Sequence, residues 1–169
     1  ALYPNGIFMI QAYPYQESIT YDATTVNALI AQHMCVNSPS TPIVPTIPFT
    51  GGTDITYEDV TDLMQSYYPD YDEYYCAIIT AHYDTLEDAE EALEKMVAAF
   101  EAAGYTVYTQ TADYATVYLD ESASYYDIAE CDVTLEIEED ENGGYIITIS
   151  IDHYGYYDDY YYDDWDIYD

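Results

Sequence analysis

Lys95 is the only lysine or arginine in a chain of 169 residues that carries 34 aspartates and glutamates. At a formal charge of −33 there is almost nothing for a carboxylate to pair with inside the protein. The acids have to stay in water, bind metal ions, face a cationic partner or take up protons. The same field repels nucleic acid and anionic membrane, and it attracts divalent cations and basic proteins. High charge with low hydrophobicity gives a disordered chain, but here 50% of the residues are hydrophobic and 25 are tyrosines. Tyrosine brings large buried area with a polar tip, so a folded core is expected despite the self-repulsion. No apolar run approaches the roughly 20 residues that span a bilayer.

The acids are unevenly placed. Only Glu17 and Asp22 precede residue 53, and every other carboxylate follows it. Between the two regions lie Pro39, Pro42, Pro45 and Pro48, then Gly51 and Gly52, a composition that favours extended, semi-rigid backbone. The chain is therefore divided into a strand–helix segment (1–36), a Pro-rich connector (37–53), an α+β domain (54–153) and a Tyr/Asp-rich tail (154–169). In the first segment residues 6–13 read as a buried strand. Asp22 then caps a helix with Val26, Leu29, Ile30, His33 and Met34 on one side. A lone strand and helix cannot bury themselves, so this piece is expected to pack on the main domain or on a neighbouring copy.

In the main domain, Thr56-Tyr57-Glu58-Asp59 matches a capping box. It predicts a short helix with Val60, Leu63 and Met64 inward, stopping before Pro69. Residues 73–83 read as a strand. Thr85, with Asp88 three residues on, opens a helix whose inward face is Leu86, Ala89, Leu93, Met96, Val97 and Phe100. Gly104 supplies its left-handed end. Residues 105–110 and 115–119 form one interrupted strand or two short ones. Cys131, Val133, Leu135 and Ile137 alternate inward, and Asn142-Gly143-Gly144 turns the chain into a returning strand at 145–151, a hairpin complete by His153. The expected fold class is α+β: an antiparallel sheet with helices on one face and a β-α-β-β-β core.

This order, with a helix ending in Ala102-Ala103-Gly104-Tyr105, a tyrosine-containing strand and a terminal hairpin, resembles small α+β modules of secreted bacterial cell-surface proteins. The resemblance spans roughly residues 53–153 and rests on pattern, without a specific motif. It implies a ferredoxin-like arrangement and an extracellular location.

The carboxylates offer oxygen ligands for calcium, the one cofactor expected. The densest clusters place candidate ligands at Asp70, Asp72, Asp140, Asp158, Asp159, Asp163 and Asp164, none of them within an EF-hand pattern. In the low-complexity tail, Tyr156, Tyr157, Tyr160, Tyr161, Tyr162 and Trp165 are candidates for burial against a second copy. His33 reads as a structural residue in an apolar stripe. His82 and His153 both end predicted strands, where they can meet as a transition-metal pair. Cys35, Cys76 and Cys131 lack C-x-x-C spacing, and either one disulfide with a spare thiol or three buried thiols fits. Ala1 reads as an N-terminus left by signal-peptide removal or as the start of a fragment. No nucleophile elbow, phosphate loop or cysteine–histidine motif occurs, so no catalytic residue is assigned and the chain is not expected to be an enzyme.

The expectation is a non-enzymatic extracellular structural or surface protein, a self-assembling fibre or lattice subunit with a cation-binding surface. Its copies would join through the strand at 145–151 or at 6–13. Two alternatives remain: an acidic DNA mimic that blocks a basic protein, and a calcium-dependent adhesion or carbohydrate-binding module that takes glycans.

Overall fold

Alternating apolar and polar residues build the longest strands of this chain. The computed structural model describes residues 19–34, 44–67, 73–120 and 127–157. Seven strands, β1 (Thr20–Tyr21), β2 (Thr53–Asp59), β3 (Glu73–Tyr83), β4 (Thr106–Gln110), β5 (Tyr114–Asp120), β6 (Asp127–Glu139) and β7 (Tyr145–Tyr157), form one antiparallel sheet ordered β1-β2-β3-β7-β6-β5-β4. Among the described residues three helices accompany it: α1 (Ala23–Met34), α2 (Thr61–Tyr67) and α3 (Leu86–Ala102).

One sheet face is apolar in register. Val117, Val133, Ile151 and Ala77 stand opposite one another across β5, β6, β7 and β3, and Ala115, Leu135, Ile149 and Ile79 form the next row. The residues of both rows are buried. Val26 and Ile30 of α1, and Ala89, Leu93, Met96, Val97 and Phe100 of α3, pack into the same core. Ile47 and Phe49, from the stretch that the sequence marks as a connector, join it as well. Asn27 on α1 holds that stretch by accepting a hydrogen bond from Ile47 N (2.7 Å) and donating one to Ile47 O (3.1 Å).

Local signals at the helix ends hold up. The Asp22 carboxylate accepts from Thr25 N at 2.8 Å to cap α1, and this bond holds its carboxyl below the usual range. Thr85 Oγ1 accepts from Asp88 N at the start of α3. At its other end Gly104, at φ +98°, lets its own N–H reach Glu101 O and that of Tyr105 reach Phe100 O. The Tyr105 ring then meets Phe100 edge-on at 5.1 Å, the apolar contact that closes this type of helix end.

Four expectations are corrected. The arrangement is not ferredoxin-like, because the sheet has seven strands and β7 inserts between β3 and β6. Thr56–Asp59 is strand rather than helix start: Ile55 is buried and Tyr57 packs against the core at strand spacing, and the helix begins later, with Asp59 accepting from Thr61 N. Leu63 and Leu86 do not face inward, being 56% and 40% exposed; no residue of α2 is buried. Finally, the hairpin is not complete at His153. β7 continues to Tyr157, with Tyr154 opposite both Tyr74 and Glu130, and Tyr157 opposite Asp127.

Candidate functional site

Helices α1 and α3 pack on one face of the sheet, and along β5, β6 and β7 the other face is polar. On this second face Tyr118, Asp132, Asp152 and Cys76 stand opposite one another across β5, β6, β7 and β3, and Thr116, Thr134, Ser150 and Ile78 form the adjoining row. An open cleft of about 560 Å³ lies here, lined among others by Tyr108, Thr116, Tyr118, Asp132, Thr134 and Asp152. Tyr108 is 79% exposed at a register shift in β4, and bulges of this kind re-aim side chains. Thr116 Oγ1 is shielded from solvent yet makes no hydrogen bond among the described residues. Asp132 and Asp152 are directly opposite in the β6–β7 register, where like charges oppose pairing. Burial first, and then donation to the Asp152 carboxylate, push the Cys76 thiol well up. A thiol so held is protonated and a poor nucleophile.

The outer edge beyond the cleft is β4. Its sequence Thr-Val-Tyr-Thr-Gln carries no charge, and every residue except Val107 is exposed. Charge is a common protection of sheet edges, and this protein places none on β4 itself. The strand at 145–151, expected to offer a pairing edge, cannot do so, because β7 is bonded to β3 on one side and β6 on the other. The other expected edge, 6–13, lies outside the described residues.

Among the candidate ligands only Asp140 is described. Its Oδ1 accepts from Asn142 N (2.9 Å) and Asn142 Nδ2 (3.2 Å), bracing the β6–β7 turn. Its Oδ2 lies 3.7 Å from His82 Nε2. That nitrogen is 2.9 Å from Gly143 O and, facing a carbonyl, acts as donor. Asp70, Asp72, Asp158, Asp159, Asp163 and Asp164 lie outside the described residues, as do Tyr160, Tyr161, Tyr162 and Trp165. Tyr156 and Tyr157 are in β7, opposite Ile128 and Asp127. Among the described residues no group of three or more His, Cys, Asp and Glu is placed to hold a metal ion, and no helix is long and apolar enough to cross a membrane.

His82 and His153 do not meet. His82 stands opposite Ile146 and His153 opposite Tyr75; the seven residue steps from Tyr75 to His82 span roughly 23 Å of strand. Cys76 and Cys131 are both buried, on opposite faces with β7 between their strands; Cys35 lies outside the described residues.

His153 is a buried polar residue of the inner face, 6% exposed, with Nε2 unbonded among the described residues. Burial lowers its pKa. The folded protein therefore holds it neutral, while the unfolded chain takes up the proton near pH 6.5. Its contribution is intact above that value and is lost as pH falls toward the lower folded-state pKa. The carboxylates titrate in the same region, so the test is a difference. Between pH 7.5 and 5.5 the wild type should lose about 1 kcal/mol relative to His153→Leu, measured by urea unfolding. Parallel pH profiles of the two proteins would refute this.

No protein-family model, no curated protein and no solved structure matches the chain. The open-face cleft and the β4 edge, neither singled out by the sequence pattern, are what remain to be interpreted. The signal for the cleft was the alternation itself, since the positions between the buried residues of β5, β6 and β7 carry its lining.

Proposed function

We propose that this chain is a non-enzymatic extracellular structural protein whose copies associate edge to edge through β4, with divalent cations, calcium first, neutralising the carboxylates that face one another across the contact. The observation that carries the reading is the exposed, uncharged β4 edge in a protein of formal charge −33. Residues 102–112 hold no ionisable acid or base other than tyrosine. β4 is thus a place where two copies can approach with the least direct carboxylate repulsion. Antiparallel or parallel pairing of two such edges satisfies the outward backbone groups of both. The extracellular part rests on composition, rich in tyrosine and nearly free of lysine. Cations contribute twice, by screening over a Debye length of about 10 Å at 0.1 M salt and by direct carboxylate coordination.

The test is sedimentation velocity of the full chain over a concentration series, in calcium chloride and in sodium chloride of equal ionic strength. Association should grow with concentration and be stronger in calcium. Thr109 and Gln110 are exposed, so Thr109→Glu/Gln110→Glu should keep the circular dichroism spectrum while weakening association at least tenfold. A folded wild type that stays monomeric throughout, or a double variant that associates equally well, would sink the reading.

A further inference from the structure

We infer that Tyr108 is a site of oxidative cross-linking between two copies of this chain, the two Tyr108 rings joining as dityrosine. The inference rests on the edge-to-edge association proposed above and names the chemistry that makes it permanent. Tyr108 is the middle residue of the five-residue strand β4. When two copies of β4 lie antiparallel in full overlap, the middle residue faces itself across the two-fold axis. Side chains so opposed stand on one face with Cβ atoms about 4.5–5.5 Å apart, close enough for the edges of two phenol rings to touch.

Three observations single out this tyrosine. Its side chain belongs to a residue that is 79% exposed, more than any other tyrosine whose exposure is described. The β4–β5 register passes over it, pairing Val107 with Val117 and then Thr109 with Thr116, so no β5 residue stands opposite. No carboxylate lies within residues 102–112. The other exposed tyrosines are differently placed: Tyr118 stands opposite Asp132, and Tyr67 is followed by Asp70 and Asp72. In a chain of formal charge −33, two copies meet least readily where carboxylates approach one another. Burial withdraws further tyrosines from this chemistry, because oxidising a phenol releases a proton; burial pushes the Tyr83 phenol up to about 12. A register shift on an edge strand also shortens the run of regular pairing. Backbone bonds over so short a contact are reversible, and a carbon–carbon bond supplies the permanence that a fibre or lattice uses.

The oxidant is hydrogen peroxide acting through a haem peroxidase, which removes electrons singly. Each phenol gives up one electron and one proton, breaking its O–H bond and leaving a radical spread over the oxygen and the ortho ring carbons. One ortho carbon from each copy then forms the new C–C bond. The hydrogen on each joined carbon leaves as a proton, and a proton returns to each oxygen, restoring two phenols. The pair has lost two electrons and two protons, which reduce one hydrogen peroxide to two waters.

The test treats the full chain with a haem peroxidase and hydrogen peroxide, at a concentration where sedimentation velocity without oxidant shows association. A dimer that survives denaturation should appear, with dityrosine fluorescence. Mass spectrometry after cleavage at acidic residues should find Tyr108 joined to Tyr108, a link that only two copies can make. Tyr108→Phe, which keeps the ring but has no phenol, should sediment as the wild type does and lose this dimer. Tyr118→Phe should leave the yield unchanged. Thr109→Glu/Gln110→Glu retains Tyr108 but sets like charges against each other across the contact, and should lower the yield by roughly fivefold or more. If the wild type associates but links through other tyrosines, or Tyr108→Phe dimerises as well, the inference fails and the edge-to-edge reading stands. A Tyr108–Tyr108 link undiminished in the double glutamate variant would mark chance collision and also overturn it. A wild type that neither associates nor forms the link removes both.

Discussion

Replacing Phe100 by alanine should remove about 3–5 kcal/mol of stability, which for a chain of this size lowers Tm by roughly 10 °C. Phe100 is fully buried in the core, so truncation leaves a cavity beneath α3. The same ring also closes the end of the helix. Its edge-on contact with Tyr105, at 5.1 Å, sits over the turn in which Tyr105 N bonds Phe100 O. Losing the ring loosens both the helix–sheet packing and the entry to β4. Leu86→Ala, at the exposed start of α3, should cost less than about 1 kcal/mol. Thermal melts followed by circular dichroism decide the matter; equal losses for the two substitutions would mean that α3 is not anchored where described.

The second large effect is expected at the β6–β7 turn, where two adjacent glycines differ in what surrounds them. Gly143 (φ +99°) has open space where a Cβ would go, so Gly143→Ala meets only the backbone strain of about 1–2 kcal/mol. Gly144 (φ +87°) carries the same strain, and its Cβ would lie 2.6 Å from both Tyr83 O and His82 Nε2. The oxygen belongs to β3, paired with β7 at Tyr83 and Tyr145, and cannot withdraw without opening that pairing. Gly144→Ala should therefore cost about 3 kcal/mol or more, strain and overlap together. Urea denaturation of the two variants compares them directly. If Gly143→Ala proves the more damaging, the turn is built differently from this account.

Local patterns were legible in the sequence wherever one physical signal acted alone. The Thr85 cap, the 3.6-residue stripe of α3 from Ala89 to Phe100, the glycine at its end and the period-two alternation of Cys131, Val133, Leu135 and Ile137 all appear where their residues place them. Reading failed where two signals compete. Thr56 to Asp59 satisfies the composition of a capping box, but Ile55 and Tyr57 gain more by packing against the core than a helix turn gains by capping. Ile47 and Phe49 were hidden by the prolines around them, because proline content reports backbone stiffness and not burial. Strand order is not encoded locally at all. Nothing in residues 145–157 says that they pair with 73–83 across more than sixty residues, and so neither the central place of β7 nor the cleft that depends on it was visible.

That central place has a kinetic side. β7 is synthesised after every other described strand, yet β3 and β6 both pair with it and have no other shared neighbour. While it is still missing, the sheet exists as two unjoined parts, β1-β2-β3 and β6-β5-β4, each with an open apolar edge at the place where the centre will be. Pairings so distant in sequence form slowly, and exposed strand edges are where nascent chains stick together. The unrelieved negative charge acts during exactly this interval. Unfinished copies carry charge of one sign and repel one another, until β7, the last of the described strands, is placed between β3 and β6.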